Sequence, residues 1–328
     1  MRPLLFIITV SGLLYGCTSP EKKSIGSIER IDPALDQIIS STATIEIIAE
    51  GYEWSEGPLW VESHNMLLFS DVPRNTIYKW TEEKGTEVYL TPSGFSGSET
   101  KSNEPGSNGL LLDDEGNLVL CQHGDRRLAI MNASLDNPSP DFSSIANEFN
   151  GRRFNSPNDA AFFNYDFYFT DPPYGLALQA DDPAKEIPYQ GVYKVTADGD
   201  VLLLIDTLTR PNGIAFTPAG TMIVANSDPE KARWYEYTLD DTAVVSGKIF
   251  FDATHLTSKE KGLPDGLKID SRGNIFATGP GGVWIFNSSG KVLGKIKVPE
   301  ATSNCALSTD EKTLYITADM YILRVKLK

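Results

Sequence analysis

The sequence is poor in basic residues, cysteine and histidine, and it has no apolar run long enough to cross a membrane. Against 44 acidic residues it has 29 lysines and arginines, which leaves a formal net charge of −15. This balance argues against a nucleic-acid partner, because phosphates are bound by clusters of lysine and arginine. It is compatible with neutral or weakly charged small molecules, or with cations, and acidity can equally serve solubility alone.

The N-terminus has the features of an export signal. Arg2 precedes an uncharged apolar stretch over residues 4–14, too short for a membrane span of about 20 residues. The sequence Leu14-Tyr15-Gly16-Cys17 resembles a bacterial lipobox, which predicts a signal peptide over residues 1–16 and lipidation of Cys17. The resemblance further implies a periplasmic lipoprotein of a Gram-negative outer membrane, held there only by the lipid. A conventionally cleaved secretory signal is the alternative.

Residues 17–42 are mostly polar and are predicted to form a tether, with a short helix near residues 33–40. The two cysteines beyond Cys17 are Cys121 and Cys305. Two thiols in an exported protein can form a disulfide. The repeat described next places them in non-adjacent units, so we expect both to be unpaired.

A repeat of about 50 residues organises the rest of the chain. No segment keeps a helical period, and short β-rich runs are broken every eight to twelve residues or so by Gly, Pro, Asn and Asp, as is typical of all-β folds. Six acidic or amide residues, which we call the anchors, recur about once in every repeat of about 50 residues. The anchors are Glu56, Asn108, Asn158, Asn212, Asp265 and Asn304. An apolar run follows most of them, then a tight-turn sequence such as Asp114-Glu-Gly-Asn117, then a second strand.

Six copies of a unit of three or four strands predict an all-β fold, a six-bladed β-propeller over residues 43–328. Such units cannot bury a core alone, but blades arranged radially cover one another's faces. The last unit is one strand short at the C-terminus, and an unmatched strand at residues 44–49 can supply the missing one. We therefore expect the ring to be closed by an N-terminal strand in the last blade.

The anchors are predicted to meet at one mouth of the central channel, because each begins the innermost strand of its blade. The second strand runs antiparallel and returns to the same face. It places a second ring outside the anchors, made of Asp71, His123, Asp171, Asn226 and Asp319. For His123 an ordinary hydrogen-bonded role is the alternative to a functional one.

Carboxylates and amides that converge on one axis repel or lose solvation unless a cation neutralises them. Oxygen ligands with two charges suit a hard dication, namely Ca²⁺, or Mg²⁺ or Mn²⁺ with more bound water. For any single copy, an Asn-Gly or Asp-Gly pair that merely turns into a strand is the alternative. The set of six favours a metal site.

Several motifs, in matching order from about residue 44 to the end, resemble those of the gluconolactonase, regucalcin and paraoxonase-like propellers. They are Glu56-Gly-Pro-Leu-Trp60, Phe69-Ser-Asp71, Asn155-Ser-Pro-Asn-Asp159, Tyr168-Phe-Thr-Asp-Pro-Pro-Tyr-Gly175, Arg210-Pro-Asn-Gly213 and Leu263-Pro-Asp-Gly266. The segment Cys121-Gln-His-Gly-Asp-Arg-Arg127 is similar to bacterial gluconolactonase-like members.

The resemblance implies one divalent metal, held by Glu56, Asn158, Asn212 and Asp265. Ca²⁺ is the expected ion, with Mg²⁺, Mn²⁺ or Zn²⁺ as alternatives. The paraoxonase branch has a catalytic histidine at the second anchor, where this chain has Asn108, so His123 is the only histidine nearby.

The expected activity is metal-assisted hydrolysis of a small lactone or sugar-acid ester, in which the ion polarises the carbonyl. Asp265 is the expected general base, with Asp171 and His123 as weaker candidates. Asn108, Asn158 and Tyr174 are expected to contact substrate hydroxyls. Two other functions stay open at this point: a non-catalytic propeller that binds a sugar or a protein, and a lyase or esterase of the strictosidine-synthase type.

Overall fold

The computed structural model describes residues 23–328, so the signal peptide predicted for residues 1–16 and the lipidation site Cys17 lie outside the described residues. The described chain forms six antiparallel sheets, one for each repeat, and a small hairpin of Glu148–Phe149 and Arg152–Arg153. Each innermost strand contacts the innermost strands of both neighbouring blades, and the sixth contacts the first. The six-bladed β-propeller is confirmed.

Blades 1 to 3 are each built from four consecutive strands, ordered from the channel outward. Blade 1 comprises Ser55–Val61, Met66–Asp71, Thr76–Thr81 and Gly85–Leu90. Blade 2 comprises Ser107–Leu112, Leu118–Gln122, Arg127–Met131 and Phe142–Ala146. Blade 3 comprises Ala160–Phe163, Asp166–Asp171, Gly191–Val195 and Val201–Ile205.

Blades 5 and 6 each include a strand from the N-terminal part of the chain. Blade 4 comprises Pro211–Phe216, Met222–Asp228, Lys231–Leu239 and Val244–Asp252. Blade 5 comprises Leu267–Ile269, Ile275–Gly279, Gly282–Phe286, Val292–Lys297 and, outermost, Ser27–Arg30. Blade 6 comprises Thr302–Leu307, Thr313–Ala318, Tyr321–Lys326 and Ile45–Glu50. Short 3-10 helices occur at Pro33–Gln37, Glu62–His64, Gln179–Asp181 and Thr254–Leu256.

The hydrophobic core is divided among the six interfaces between neighbouring blades. Successive residues of a strand point to opposite faces of its sheet, so Leu67 packs against blade 6 while Leu68 packs against blade 2. Both side chains are fully buried. This is why the second strands are continuous apolar runs instead of alternating ones.

The ring closes as predicted, because Ile45–Glu50 pairs with Tyr321–Lys326 in blade 6. Cys121 and Cys305 are buried and unpaired, which confirms that expectation. Among residues 23–328 there is no helix with the length and apolarity that crossing a membrane requires.

The segment before the closing strand differs from the polar tether predicted for residues 17–42. Ser27–Arg30 pairs with Val292–Lys297 and extends blade 5. The 3-10 helix Pro33–Gln37 follows and corresponds to the expected short helix. The physical reason is the burial of apolar side chains. Leu35, Ile38 and Ile39 are buried in the core between blades 5 and 6, so this stretch packs on the propeller and does not extend from it.

Candidate active site and metal centre

A cavity of about 300 Å³ lies at the mouth of the channel where the innermost strands begin, which we call the anchor mouth. Five of the six predicted anchors line it: Glu56, Asn108, Asn158, Asn212 and Asp265. The remaining lining residues are Trp54, Glu104, Tyr174, Arg210, Ser227, Gly262, Leu263, Ala301 and Thr302. The prediction that the anchors share one mouth therefore agrees with the structure.

The sixth anchor, Asn304, is buried beside Glu56 and does not line the cavity. Asn304 Oδ1 accepts a hydrogen bond from Cys305 N at 2.8 Å, and its Nδ2 lies 3.4 Å from Asp159 Oδ2. Its amide therefore hydrogen-bonds within the channel and does not face the cavity.

The glycine that follows an anchor allows two innermost strands to approach each other. A Cβ atom at Gly57 would lie 2.0 Å from the backbone oxygen of Asn108, and one at Gly213 would lie 2.3 Å from that of Asp265. Real Cβ contacts are never this short, so only glycine fits. The Asn-Gly and Asp-Gly pairs are therefore sites of close backbone approach around the channel, and not hairpin turns.

Three anchor oxygens are buried without a hydrogen-bond partner in the part of the chain that the structure describes. They are Asn108 Oδ1, Asn158 Oδ1 and Asp265 Oδ1. Asn212 donates from Nδ2 to Ser227 Oγ at 3.0 Å, which turns its amide oxygen away from that serine. Buried polar atoms are nearly always paired, and an unpaired one costs about 1–3 kcal/mol. The cluster therefore requires a partner that the protein does not itself supply.

The electrostatics of the two anchor carboxylates indicate the charge of that partner. Burial raises the pKa of Glu56 to about 8, with a smaller contribution from the charge of Asp159. Burial and then the charge of Glu56 raise the pKa of Asp265 well above its usual range. Both carboxylates are therefore disfavoured in their charged form unless a positive charge lies between them.

The donor set fits a hard divalent cation. It consists of carboxylate and amide oxygens, which are the ligands of Ca²⁺ and Mg²⁺. Within residues 23–328 no three His, Cys, Asp or Glu side chains form a cluster suited to a metal. Half of the predicted ligands are asparagines, so the absence of such a cluster does not conflict with an oxygen-ligand site.

The second predicted ring holds the backbone in place instead of facing the cavity. Asp71 accepts from the backbone N–H groups of Glu53 and Trp54. Asn226 Oδ1 accepts from Arg210 N at 2.8 Å. In both blades the side chain fixes the segment that leads into the innermost strand. Asp319 differs, because it contributes its backbone oxygen, which accepts from Ser55 N at 2.9 Å.

Asp171 belongs to the same group, and its contacts favour a positioning part over the candidate part as a base. Its two carboxylate oxygens accept from Asn155 N and Ser156 N, both at 2.8 Å. Burial raises the pKa of Asp171 to about 7, but the residue does not line the cavity. Since both oxygens are occupied by the backbone, Asp171 positions the segment before Asn158.

His123 is fully buried behind the cavity wall. Its Nε2 lies 3.4 Å from Asn158 Nδ2, and its Nδ1 lies 3.8 Å from a carboxylate oxygen of Glu104. Burial lowers the pKa of His123 to about 4, so the ring is neutral at neutral pH. A neutral ring that accepts from Asn158 at Nε2 carries its proton on Nδ1. His123 therefore contacts an anchor and does not itself line the cavity.

Sequence reasoning missed eight wall residues, and for four of them a signal was present. Trp54, Arg210, Leu263 and Thr302 each stand two residues before an anchor. Because side chains in extended chain alternate, a residue two positions before an anchor faces the same side. Glu104 has no such signal, because it lies four residues before Asn108, in the connection between blades 1 and 2.

Comparisons with known proteins agree with this geometry. A family model described as the SMP-30/Gluconolactonase/LRE-like region matches residues 54–319. A gluconolactonase of Zymomonas mobilis is 38% identical and covers 93% of this chain and 87% of its own length. A pentonolactonase of Haloferax volcanii is 25% identical over 80% of each chain. The solved structure of a gluconolactonase from Xanthomonas campestris is 25% identical, covers 94% of this chain and 99% of its own, and superimposes with a TM-score of 0.78.

Proposed function

The chain belongs to the SMP-30/gluconolactonase/LRE-like family, and from that premise we propose that it is a divalent-metal-dependent hydrolase of a small sugar lactone. The observation that carries the metal dependence is the set of buried, unpaired oxygens on Asn108, Asn158 and Asp265. The lactone is inferred from the gluconolactonase and pentonolactonase relatives. The cavity of about 300 Å³ has the volume that a small ligand requires.

Glu56, Asn158, Asn212 and Asp265 are the residues proposed to hold the ion, with Ca²⁺ as the first choice and Mg²⁺, Mn²⁺ or Zn²⁺ as alternatives. A divalent ion supplies Lewis acidity, which draws electron density from the lactone carbonyl and stabilises the negative charge that develops on its oxygen. Asn108 and Asn158 each direct a buried, unpaired oxygen to the cavity. Those oxygens can accept hydrogen bonds from substrate hydroxyls or complete the ligand set.

Asp265 is proposed as the general base. Its Oδ1 is buried and unpaired, so it can accept a proton from the attacking water. The water oxygen forms a bond to the carbonyl carbon, the ring C–O bond breaks, and the proton passes to the departing ring oxygen. The product is an open-chain hydroxy acid. Tyr174 lines the same cavity and can donate its phenolic proton in a hydrogen bond to the substrate.

His123 is proposed as a positioning residue. By accepting a hydrogen bond from Asn158 Nδ2, the neutral ring selects the amide rotamer that directs Oδ1 into the cavity. Metal ligands are commonly oriented by such an outer contact, and losing one typically weakens metal affinity about 10- to 100-fold.

The experiment is a panel of lactones assayed with metal-stripped and reconstituted protein. The expected result is hydrolysis of sugar lactones that disappears on chelation and returns with a divalent ion. Hydrolysis that survives complete removal of metal would contradict the metal dependence. A chain that binds sugars or a protein without hydrolysing any lactone would indicate the non-catalytic alternative.

Export is a separate proposal, inferred from the sequence of residues 1–18 alone. We propose a periplasmic lipoprotein anchored through Cys17. The Cys17→Ala form should lose its association with the membrane fraction, and mature protein that begins at a residue other than Cys17 would contradict the proposal.

A further inference from the structure

Glu104 is a third carboxylate at the anchor mouth, and no repeat position accounts for it. It lines the cavity with Glu56 and Asp265, and its side chain is 33% exposed. Within residues 23–328 no donor makes a hydrogen bond to its carboxylate, and the ring nitrogen of His123 lies 3.8 Å away. Burial raises the pKa of Glu104 to about 7. The group is thus partly desolvated, and its carboxylate has no hydrogen-bond donor among the described residues.

The connection that carries Glu104, residues 91–106, is built to hold one conformation. Asn75 Oδ1 accepts from the backbone N–H groups of Ser93, Gly94 and Phe95 at 2.7–3.1 Å. Gly94 packs so closely on Gly106 that a Cβ atom there would lie 2.0 Å from its carbonyl carbon. The two ends of the connection are therefore fixed against each other.

The residue itself is fixed as well. Its N–H donates to Ser102 Oγ at 3.0 Å. Pro105 follows directly, and a residue before proline is restricted to extended backbone. The backbone of Pro105 is fixed in turn, because its oxygen accepts from Gly124 N at 3.2 Å. These contacts fix the backbone from which the Glu104 side chain extends, and a fixed backbone is expected beneath a group that recognises a ligand.

The charges of the cavity indicate which ligand groups suit Glu104. Arg210 is the basic residue on the wall, against Glu56, Asp265 and Glu104. If a dication balances the first two carboxylates, Arg210 balances the third, and the cavity as a whole suits an uncharged molecule. In its charged form the carboxylate of Glu104 accepts hydrogen bonds only, so the ligand groups that match this form are neutral donors such as hydroxyls.

We propose that Glu104 is a specificity-determining residue that accepts hydrogen bonds from substrate hydroxyls and so selects polyhydroxylated lactones over unsubstituted ones. This inference rests on the proposed lactonase function. A site built to pair with a hydroxyl discriminates strongly against an analogue that lacks it, because the buried group then stays unpaired.

The test compares kcat/KM for D-glucono-δ-lactone with kcat/KM for δ-valerolactone, which has the same ring without hydroxyls. We expect Glu104→Ala to lower the ratio of the two values about 10- to 100-fold, mainly through the sugar lactone. Glu104→Gln retains one acceptor oxygen, so its ratio of kcat/KM values should lie between those of Glu104→Ala and the wild type. Where δ-valerolactone is turned over too slowly, its inhibition constant against the sugar lactone replaces kcat/KM.

The matched control is Glu99→Ala, which removes an exposed carboxylate from the same connection and should leave the ratio unchanged. Metal affinity, measured by calorimetry, should be the same in all four proteins. An unchanged ratio in Glu104→Ala, or a loss of metal affinity comparable to the loss of activity, would overturn the proposal. A wild-type protein inactive on both lactones would instead contradict the proposed function.

Discussion

The propeller has cavities of about 300 Å³ at both ends of its innermost strands, and they differ in whether their polar atoms are paired. At the end opposite the anchor mouth, Leu59, Lys268 and Ala306 line the second cavity. Lys268 Nζ donates to Leu267 O at 3.1 Å, and Glu311 accepts from the N–H and hydroxyl of Ser271. None of the lining residues there carries a buried unpaired side-chain atom among those the structure describes. The anchor mouth carries three on its anchors.

The comparison shows what distinguishes a ligand-binding site from a cavity without one. The second cavity lies between blades 1, 5 and 6, at the far ends of their innermost strands. The fold satisfies its polar side chains there. Unpaired oxygens persist at the other mouth although they cost stability, which is expected where a ligand completes them.

The largest effect is expected from Asp265→Asn, which keeps an oxygen at the anchor mouth but removes the proposed base. At saturating metal we expect kcat to fall about 10²- to 10⁴-fold. Metal affinity should fall modestly, since one charge is lost. Glu56→Gln changes the same metal charge without touching the base, so its loss of turnover at saturating metal should be much smaller. Near wild-type turnover in Asp265→Asn would show that proton transfer does not pass through Asp265.

The contribution of His123 should be intermediate. His123→Phe removes the acceptor for Asn158 Nδ2 while keeping an aromatic ring in the buried site. We expect metal affinity to fall about 10- to 100-fold, with activity recovering as metal is raised. His64→Gln is the control, because His64 pairs with exposed Asp136 at the surface. If His123→Phe binds metal like the wild type, His123 only fills space.

The pH dependence of stability should separate the metal-free and metal-bound forms. The pKa of Glu56 is raised to about 8 from 4.5, so the folded protein holds a proton that the unfolded chain has released. Stability of the metal-free protein should therefore fall as pH rises through about 8, by at most about 1.4 kcal/mol per unit of pKa difference. Measurement between about pH 7.5 and pH 9 lies above the titration of His123, which has a pKa of about 6.5 in the unfolded chain and about 4 in the folded protein.

Melting temperatures in chelator and in excess metal give this slope. Added metal favours the charged carboxylates, so it should remove the decline or reverse it. Glu56→Gln should make the metal-free slope shallower without removing it, because burial also raises the pKa of Asp265 and raises those of Asp171 and Glu104 to about 7. Identical slopes with and without metal would mean that the ion does not bind at these carboxylates.

The smallest effect is expected at the opposite end. Glu311→Gln weakens the pairing with Ser271 and should cost about 0.5–1.5 kcal/mol of unfolding free energy. Turnover and metal affinity should not change. A loss of activity in this variant would undo the distinction between the two cavities.

The sequence was sufficient for the features that recur. Six anchors, each followed by an apolar run, predict the blades, and the missing strand of the last unit predicts that Ile45–Glu50 closes the ring. The position of each anchor at the start of its innermost strand also predicts that Glu56, Asn158, Asn212 and Asp265 lie at one mouth, where the structure has them.

Features without a repeat could not be found in this way. Ser27–Arg30 is an exposed outer strand without apolar alternation, so its pairing with blade 5 depends on the neighbouring edge. Glu104 lies in the connection between blades 1 and 2, at a position that no other repeat shares. The sequence also places Asp171 near the mouth, but only tertiary contacts show that the backbone occupies both of its oxygens.

The most direct test is a calcium titration of metal-stripped protein, in which calorimetry measures binding and a parallel assay measures lactone hydrolysis. The account predicts one equivalent of bound ion, with activity rising at the same midpoint, and neither in a Glu56→Gln, Asp265→Asn double variant that still folds. Full turnover without metal, or equal metal binding by the double variant, would contradict it.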